Sequence, residues 1–493
     1  MIQFFTIFIL LQSLLFASFT GTIIDNKTLN PIVGATISDS KSSVKSDRNG
    51  WFHFATDDNT FNIKSDNYET ILVKKLALKK KYKMQLKSNG IAVVIPVPSI
   101  LVQTDTIVDA KTLQPIEGAF VSDSTNTVKS NKNGNFDFST EEKIFHIKAY
   151  GYKALHLKKD SNISKYELEP INVKALYLTF WRASGNSDVM KKIFKIIEET
   201  EVNAIVVDIK NEYGSTLYKT SFKQANGYGA HKNRTNRNIS RFMKMMKDRG
   251  IYTIARIVTF KDEIQASNNP EYAIKNQAGE IWRNHDDMAW VDPYDSRSHA
   301  YTIRMAEEAA KVGFDEINFD YIRFPAKSDL VFSKENTQEN RIEAIGTFLD
   351  SAKNKLRKYG VYISVDTYGN ILWTKKGDNN IGQTVTSLAQ HADYLAPMLY
   401  PSGFASGSFG KENPSSHPFI VIYRSIKHIE KIIDPSRVRP WLQYFKDYSH
   451  TRMHYKKHEV TEQVRAAEKM QTNGWMMWSP SSKYHKGYFK ANK

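Results

Sequence analysis

The sequence contains no cysteine among its 493 residues. This absence excludes a disulfide framework, thiolate metal sites, a cysteine nucleophile and a lipid anchor attached through cysteine. The sequence also has no Gly-x-Ser-x-Gly motif, which argues against an α/β-hydrolase mechanism, and no Arg-rich tract or known nucleic-acid-binding motif. It therefore predicts a protein that is stabilised by packing alone and has no nucleic-acid partner.

Apolar residues, by contrast, are plentiful. Hydrophobic residues make up 41% of the chain and aromatic residues 12%, which is enough apolar surface to offset the loss of chain entropy on folding. A chain of 493 residues is long enough for at least two domains. The formal net charge of +17 comes mostly from lysines spread along the sequence, and it favours anionic partners such as charged polysaccharides.

The N-terminus carries the longest apolar run of the sequence. This run extends from Ile2 to Phe16, is broken by four polar residues, and is followed by the small residues Ala17 and Ser18. Residues 1–18 are predicted to be a secretory signal peptide or an uncleaved N-terminal anchor, with a buried strand or helix as the alternative. We therefore expect an exported protein, periplasmic or extracellular, with no membrane span beyond that segment.

Two similar segments follow the N-terminal run. The stretch TIIDNKTLNPIVGATISDSKSSVKSDRNGWFHF begins at Thr22, and it aligns without a gap with TIVDAKTLQPIEGAFVSDSTNTVKSNKNGNFDF, which begins at Thr106. Short alternating runs between Asn-Gly and Asp-Asn turn signals predict antiparallel strands in a small sandwich. We predict a duplication of one all-β unit.

The two β-sandwich repeats are predicted at residues 21–88 and 104–170. The linker at 89–103 contains two prolines, which predict an extended connector or an edge strand. The order Pro-Ile-x-Gly-Ala, then an Asn-Gly turn, then Phe-x-Phe resembles carboxypeptidase regulatory-like or transthyretin-like domains. This resemblance implies a spacer, carbohydrate-contacting or surface-docking role rather than catalysis.

From Asn172 onward, apolar strand-like runs alternate with amphipathic helical patterns. Eight such units over about 320 residues predict a closed (β/α)8 barrel, or TIM barrel, at 173–493. An open doubly wound sheet is the alternative, but no Gly-rich phosphate loop follows the first strand. The eight strand-like runs begin at Lys174, Ala204, Tyr252, Glu316, Tyr362, Tyr394, Val438 and Gly474.

Three acids stand at the ends of predicted barrel strands, where the active site of such a barrel lies. Asp208 closes AIVVD, Asp320 closes EINFD and Asp366 closes YISVD. Burying a lone charge costs several kcal/mol, so each acid needs either a partner or an opening. Three acids on different strands that point to one mouth indicate a catalytic or binding site, with Glu212 and Glu263 as reserve acids.

The same rim is rich in aromatic residues, whose flat faces suit the apolar faces of sugar rings. Some of these rings are expected to belong to the core, and Trp181, Tyr400 and Trp478 are the strongest candidates for sugar contacts. The aromatic residues at the predicted strand ends are Trp181, Tyr368, Trp373, Tyr400, Tyr444, Phe445 and Trp478.

The segment AWVDPYDSRSHAYTIRMAEEAAKVGFDEINFDYIRFP, from Ala289 to Pro325, contains the signature FDYIRFP. With IARIVTFKD before it and SVDTYG and APMLYPSGF after it, the chain resembles the bacterial putative glycoside hydrolase family with a TIM-barrel catalytic domain, over residues 173–488. The resemblance implies a barrel distantly akin to the α-amylase group that acts on a glycosidic bond. Gly403 follows Ser402 where members of the family tend to carry His, so a His contact to substrate is missing here.

Glycosidic bond cleavage normally needs one protonated carboxyl group as acid and one ionised carboxylate as nucleophile or base. The resemblance implies a nucleophile on the fourth strand, so Asp320 is predicted to be the nucleophile or base. Asp366 is predicted to be the general acid, with a pKa raised by burial or by Asp320, although the two roles could be exchanged. Arg323 is expected to keep a carboxylate ionised or to bind a substrate anion. Asp208 is expected to orient sugar hydroxyls or to support the acid pair. The predicted substrate-binding residues are Asp208, Lys210, Arg256, Arg323, Trp181, Tyr368, Tyr400 and Trp478.

The sequence thus predicts a glycoside hydrolase that cleaves an envelope or extracellular polysaccharide with two carboxyl groups and no cofactor. The alternative is a non-catalytic polysaccharide-binding or envelope-assembly protein, and a polysaccharide deacetylase or lyase ranks last. The stretch from His285 to Asp287 lacks the fixed ligand spacing of a metal site, so no obligatory metal is predicted. The expected partner is a carbohydrate polymer, and no oligomeric state is predicted.

Overall fold

The computed structural model describes residues 17–25, 30–56, 58–66, 68, 70–74, 82–86, 93–96, 103–138, 140–158, 165–184, 187–374, 377–449 and 451–492. Two compact units are present: Met1–Asp105 with Phe136–Glu142, and Thr106–Asn135 with Lys143–Lys493. Residues 1–16 of the predicted leader lie outside the described residues. Among the described residues, no α-helix combines the length and the apolar character that a bilayer span requires.

The described residues up to Pro96 form eight short strands. They are β1 (Ala17–Asp25), β2 (Thr36–Ser38), β3 (Ser43–Lys45), β4 (Trp51–Thr56), β5 (Thr60–Lys64), β6 (Ile71–Lys74), β7 (Tyr82–Leu86) and β8 (Val93–Pro96). They form two sheets, in the orders β4-β1-β7-β8 and β3-β2-β5-β6. The sequence of β4 alternates, so Phe52 and Phe54 face a core that includes Ile23 and Phe61. Strand β8 lies at a sheet edge, so no further strand needs the backbone N–H that Pro96 lacks.

The second repeat follows with seven strands. They are β9 (Gln103–Asp109), β10 (Phe120–Ser122), β11 (Thr127–Lys129), β12 (Asn135–Phe138), β13 (Ile144–Lys148), β14 (Leu155–Lys158) and β15 (Lys165–Leu168). The Tyr152 hydroxyl donates to Asp109 Oδ2 at 2.9 Å, and the Tyr68 hydroxyl of the first repeat donates to Asp25 Oδ2 at 2.7 Å. The repeated sequence therefore forms the same tertiary contact twice. The all-β prediction for this part of the chain is confirmed, and the predicted domain boundaries stay predictions.

The rest of the chain forms a closed barrel of parallel strands, which confirms the predicted TIM barrel. Its strands, each at one of the predicted runs, are β16 (Val173–Leu178), β17 (Ala204–Lys210), β18 (Tyr252–Val258), β19 (Glu316–Asp320), β20 (Tyr362–Tyr368), β21 (Tyr394–Met398), β22 (Trp441–Gln443) and β23 (Gly474–Trp478). Its helices are α1 (Asp188–Glu199), α2 (Lys223–Gly227), α3 (Ile239–Lys247), α4 (Glu263–Asn268), α5 (Ser296–Lys311), α6 (Gln338–Leu356), α7 (Val385–His391), α8 (Pro418–Ile429) and α9 (Lys457–Lys469).

The alternation of side chains along the strands decides which residues reach the barrel mouth. Leu176 and Leu178 of β16 pack in the layer beneath the helices, whereas Ala175 and Tyr177 pack in the barrel interior. In β18 the residue two positions beyond the interior Ile254 is Arg256. In several other strands, too, a polar residue near the carboxyl-terminal end stands two positions beyond an interior residue. Its side chain therefore points into the barrel at the mouth.

The second repeat contacts the amino-terminal ends of the barrel strands, within the second compact unit. The Tyr362 hydroxyl donates to Ala149 O at 2.8 Å, and the Tyr394 hydroxyl accepts from Gly151 N at 3.0 Å. Both tyrosines begin a barrel strand, so this repeat supports the end of the barrel opposite the mouth.

Candidate active site

A cleft of about 380 Å³ opens at the carboxyl-terminal ends of the barrel strands. Asp320 and Asp366, the two predicted catalytic acids, both line it, and each is almost completely buried. The full lining consists of Arg256, Asp320, Tyr321, Arg323, Asp366, Tyr368, Gln383, Met398, Tyr400, Trp441, Phe445, Tyr448 and Trp478. Two carboxyl groups in one concave site are the arrangement that glycosidic bond cleavage needs.

Arg256 joins the three predicted acids. Its Nη1 donates to Asp208 Oδ1 at 2.5 Å, its Nη2 donates to Asp320 Oδ2, and its Nε lies 3.7 Å from Asp366 Oδ2. Burial lowers the pKa of Arg256, but Asp320 and Asp208 outweigh it and hold that pKa well above its usual range. One permanent cation therefore holds three carboxyl groups around the same point.

The two oxygens of Asp366 have different surroundings. Its Oδ1 accepts from Asn318 Nδ2 at 2.9 Å and from Trp441 Nε1 at 2.7 Å. Its Oδ2 has no hydrogen-bond partner among the described residues. Burial, followed by the negative charge of Asp320, raises the pKa of Asp366 well above its usual range. The raised pKa favours the protonated form of Asp366, and Oδ2 is the oxygen that has no donor in the way of a proton.

Asp320 has donors on both oxygens. Besides Arg256, the backbone N–H of Tyr321 donates to Asp320 Oδ1 at 2.5 Å. Both donors interact best with an ionised carboxylate. Tyr321 has a φ of 48°, in the left-handed region that few side chains adopt, so the chain turns sharply directly after the acid. Asp320 thus has a donor on each oxygen, whereas Asp366 Oδ2 has none among the described residues.

Asp208 is buried behind the cleft and does not line it. It accepts hydrogen bonds from Arg256 and from the Tyr177 hydroxyl, and burial raises its pKa. Lys210 is fully buried and bonds Asp262 Oδ2 at 2.6 Å, away from the cleft lining. Asp208 therefore lies behind Arg256 and Lys210 forms an internal ion pair, so neither lines the cleft, and the roles predicted for them stay predictions.

The predicted aromatic residues separate into two groups. Tyr368, Tyr400 and Trp478 line the cleft, and Tyr368 is 52% exposed there. Trp478 stacks on Tyr177 at a centroid distance of 3.9 Å, which fixes its ring beside Arg256. Trp181 is 62% exposed but does not line the cleft.

Sequence reasoning missed Trp441, Tyr448 and Gln383 as cleft residues. Trp441 stands at an interior position of β22, and its place in the run VRPWLQYF was the available signal. Gln383 Nε2 donates to the backbone oxygen of Asp366 at 3.1 Å, and Gln383 Oε1 accepts from Tyr368 N. It follows α6 and precedes α7, in a segment without a recognisable pattern.

The reserve acids and the considered metal segment lie outside the cleft lining. Glu263 forms an ion pair with Arg283 and accepts from Ala289 N, and Glu212 is not among the lining residues. The His285 side chain is 88% exposed and lies 3.2 Å from Asp286. The described part of the chain contains no group of three or more His, Asp or Glu side chains arranged to hold a metal ion.

Comparison with known proteins adds a family. A family model described as "putative glycosyl hydrolase domain" matches residues 175–484. A solved structure of a hypothetical protein from Ruminiclostridium thermocellum is 36% identical, with 39% of this chain and 96% of that chain covered and a TM-score of 0.35. The PgaB (BpsB) glycoside hydrolase domain from Bordetella bronchiseptica is 11% identical, with 66% and 100% covered and a TM-score of 0.47. A GH18 chitinase from Pseudoalteromonas aurantia is 13% identical, with 64% and 97% covered and a TM-score of 0.37. Among curated proteins, none matches this chain.

Proposed function

Since the chain belongs to the putative glycosyl hydrolase domain family and is a glycosidase, we propose that it cleaves an envelope or extracellular polysaccharide with Asp366 and Asp320. Asp366 is the general acid in this proposal, and Asp320 is the nucleophile or base. The observation that carries it is the pair of buried carboxyl groups that line one cleft around Arg256, Asp320 with a donor on each oxygen and Asp366 with Oδ2 unpaired among the described residues. The exported location rests on the apolar N-terminal run, and the anionic character expected of such polymers suits the net charge of +17.

The acid step follows from the hydrogen bonds of Asp366. Its Oδ1 is occupied by Asn318 and Trp441, so the proton resides on Oδ2. A glycosidic oxygen placed against Oδ2 receives that proton as the bond to the anomeric carbon breaks, and Asp366 is left ionised. Arg256 Nε, 3.7 Å from Oδ2, stabilises the new negative charge.

The second carboxylate completes the reaction in one of two ways. If Asp320 attacks the anomeric carbon, a glycosyl ester forms, and water then hydrolyses it while Asp366 accepts the proton of that water. If Asp320 instead removes a proton from water, the water attacks directly and the anomeric configuration inverts. The anomer of the first product, measured by proton NMR, distinguishes the two.

The cleft walls suit a sugar chain. The rings of Tyr368 and Trp478 line the same cleft as the acids, and aromatic faces pack against the C–H faces of sugars. The stack on Tyr177 keeps Trp478 in one orientation, so this wall is formed before substrate arrives.

The test is the release of reducing ends from envelope and extracellular polysaccharides of the producing organism. We expect release by the wild-type protein and a loss of about 10²-fold to 10⁴-fold in Asp366→Asn, with a loss at least as large in Asp320→Asn. Asp329→Asn, which changes an exposed loop carboxylate, is the matched control and should keep full activity. Binding without release by every variant, wild type included, would favour a non-catalytic polysaccharide-binding protein instead.

A further inference from the structure

A second cavity of about 440 Å³ adjoins the cleft. The two cavities share Arg323, which lines both of them. The side chains around the second cavity include Arg283, His285 and Lys327 as well as Arg323, and no carboxylate belongs to its lining among the described residues. Three of these four side chains have a carboxylate partner outside the lining: Arg283 with Glu263, His285 with Asp286 and Lys327 with Asp329. Arg323 is the exception among them, so its charge is the one available to attract a negatively charged group.

Arg323 differs from the buried arginines of the barrel. Arg256 pairs with Asp208 and Asp320, and Arg439 pairs with Glu316 at 2.7 Å. In the described part of the chain, Arg323 has no carboxylate within 4.0 Å, and its Nη1 donates only to the backbone oxygen of Phe324 at 3.0 Å. Unlike Arg256 and Arg439, Arg323 is only half-buried, so its remaining donors are open to water and free to bind an acceptor from outside the chain.

The guanidinium of Arg323 is held in place by aromatic rings. It lies 5.1 Å from the ring centroid of Trp290 and 5.3 Å from that of Tyr321. Trp290 is buried, and Tyr321 occupies the left-handed turn directly after Asp320. Cation–π contacts fix the guanidinium without using its N–H donors, so the donors stay available beside the reacting centre.

We propose that Arg323 binds an anionic substituent of the substrate, a carboxylate, phosphate or sulfate, in a subsite formed by the second cavity. A guanidinium recognises such groups through two parallel N–H donors. No carboxylate lines this cavity in the described part of the chain, whereas Asp320 and Asp366 line the cleft beside it, so an anionic substituent is better placed in the second cavity. The proposal rests on the proposed glycosidase function, because it names the substrate class of the same site.

The test compares binding of two oligosaccharides that differ in charge, measured by calorimetry without turnover. A hyaluronan tetrasaccharide carries carboxylates, and tetra-N-acetylchitotetraose is a neutral probe of equal length. We expect the wild-type protein to bind the charged probe more tightly than the neutral one. Arg323→Ala should weaken the affinity for the charged probe by about tenfold to a hundredfold and leave the affinity for the neutral probe unchanged. Arg323→Lys should recover part of the loss.

Arg297→Ala is the matched control, because Arg297 also lies over a tyrosine ring, at 4.9 Å from Tyr272, but outside both cavities. It should bind both probes like the wild type. Inorganic phosphate or sulfate can be added to compete with the charged probe. If either anion displaces the probe from the wild type but not from Arg323→Ala, that anion is preferred over carboxylate. Equal binding of the charged and neutral probes, or an equal loss of both in Arg323→Ala, would overturn the subsite. Because the readout is binding, an inactive protein that still prefers the charged probe would refute the hydrolase and keep the subsite.

Discussion

The indole N–H of Trp441 donates to Asp366 Oδ1 at 2.7 Å, and this donor lowers the pKa of a carboxyl whose burial raises it. Trp441→Phe removes the donor and keeps an aromatic ring in the barrel. A hydrogen bond to a charged group contributes about 1.5 to 3 kcal/mol. Since one pKa unit corresponds to about 1.4 kcal/mol, the pKa of Asp366 should rise by about 1 to 2 units.

The sign of the effect on activity follows from the role of Asp366. A general acid works in its protonated form, so kcat/KM falls as pH rises through the pKa of Asp366. In Trp441→Phe this basic limb should move to higher pH by about 1 to 2 units, whatever happens to the maximal rate. The assay is a pH profile of kcat/KM for reducing-end release.

Trp475→Phe is the matched control for this change. Trp475 is a fully buried indole on the neighbouring strand β23, and its Nε1 has no hydrogen-bond partner among the described residues. Trp475 does not contact the Asp366 carboxyl, so the basic limb of the pH profile of Trp475→Phe should lie at the same pH as that of the wild type. A limb that stays fixed in Trp441→Phe, or that moves to lower pH, would refute the assignment of Asp366 as the acid.

Two further predictions concern stability. Lys210→Met should lower the free energy of unfolding by about 3 to 5 kcal/mol, because it leaves the buried Asp262 carboxylate without its cation. Urea denaturation measures this loss, and a change below about 1 kcal/mol would contradict the prediction. Gly474→Ala should prevent stable folding, because a Cβ there would lie 1.8 Å from Val173 O at a φ of +78°. Gly250→Ala, at a φ of +66° with open space around it, should cost only about 1 to 2 kcal/mol in the same assay, and similar losses for both would contradict the steric explanation.

The barrel was predictable because each of its strands is a short apolar run between amphipathic helices. The positions of Asp320 and Asp366 followed from the same pattern, since Asp320 ends β19, Asp366 lies two residues before the end of β20, and both keep the interior phase of the alternation. The short helices α2, α4 and α7 were not predicted. Each has only five to seven residues, too few for a clear helical period.

Lys210 was predicted to be a polar residue in the wall of the site. The register of β17 against β18 shifts between Asp208 and Lys210, and Lys210 pairs with Ile257 instead of continuing the regular ladder. Such a bulge redirects the following side chain, which here meets Asp262. Nothing in AIVVDIK indicates the bulge, because it depends on pairing with a neighbouring strand.

The hydrogen bonds of Asp366 depend on barrel closure in the same way. Trp441 lies on β22 and Asp366 on β20, so β21 separates them in the sheet and they meet only across the closed interior. The partners of Arg256 likewise come from β17, β19 and β20. Sequence patterns place residues on a strand and a face, whereas the contacts that set protonation states come from the three-dimensional closure.

The most direct test of the account is the protonation state of Asp366, measured by infrared difference spectroscopy on the C=O stretch of protonated carboxyl groups. A band present at neutral pH in the wild type and missing in Asp366→Asn would support the acid. Asp320→Asn should also show that band at acidic pH. As the pH rises, the band should disappear at a lower pH than in the wild type, because the charge of Asp320 that raises the pKa of Asp366 is gone. No difference between wild type and Asp366→Asn at neutral pH would contradict the account, because Asp366 would then be ionised and unable to act as the acid.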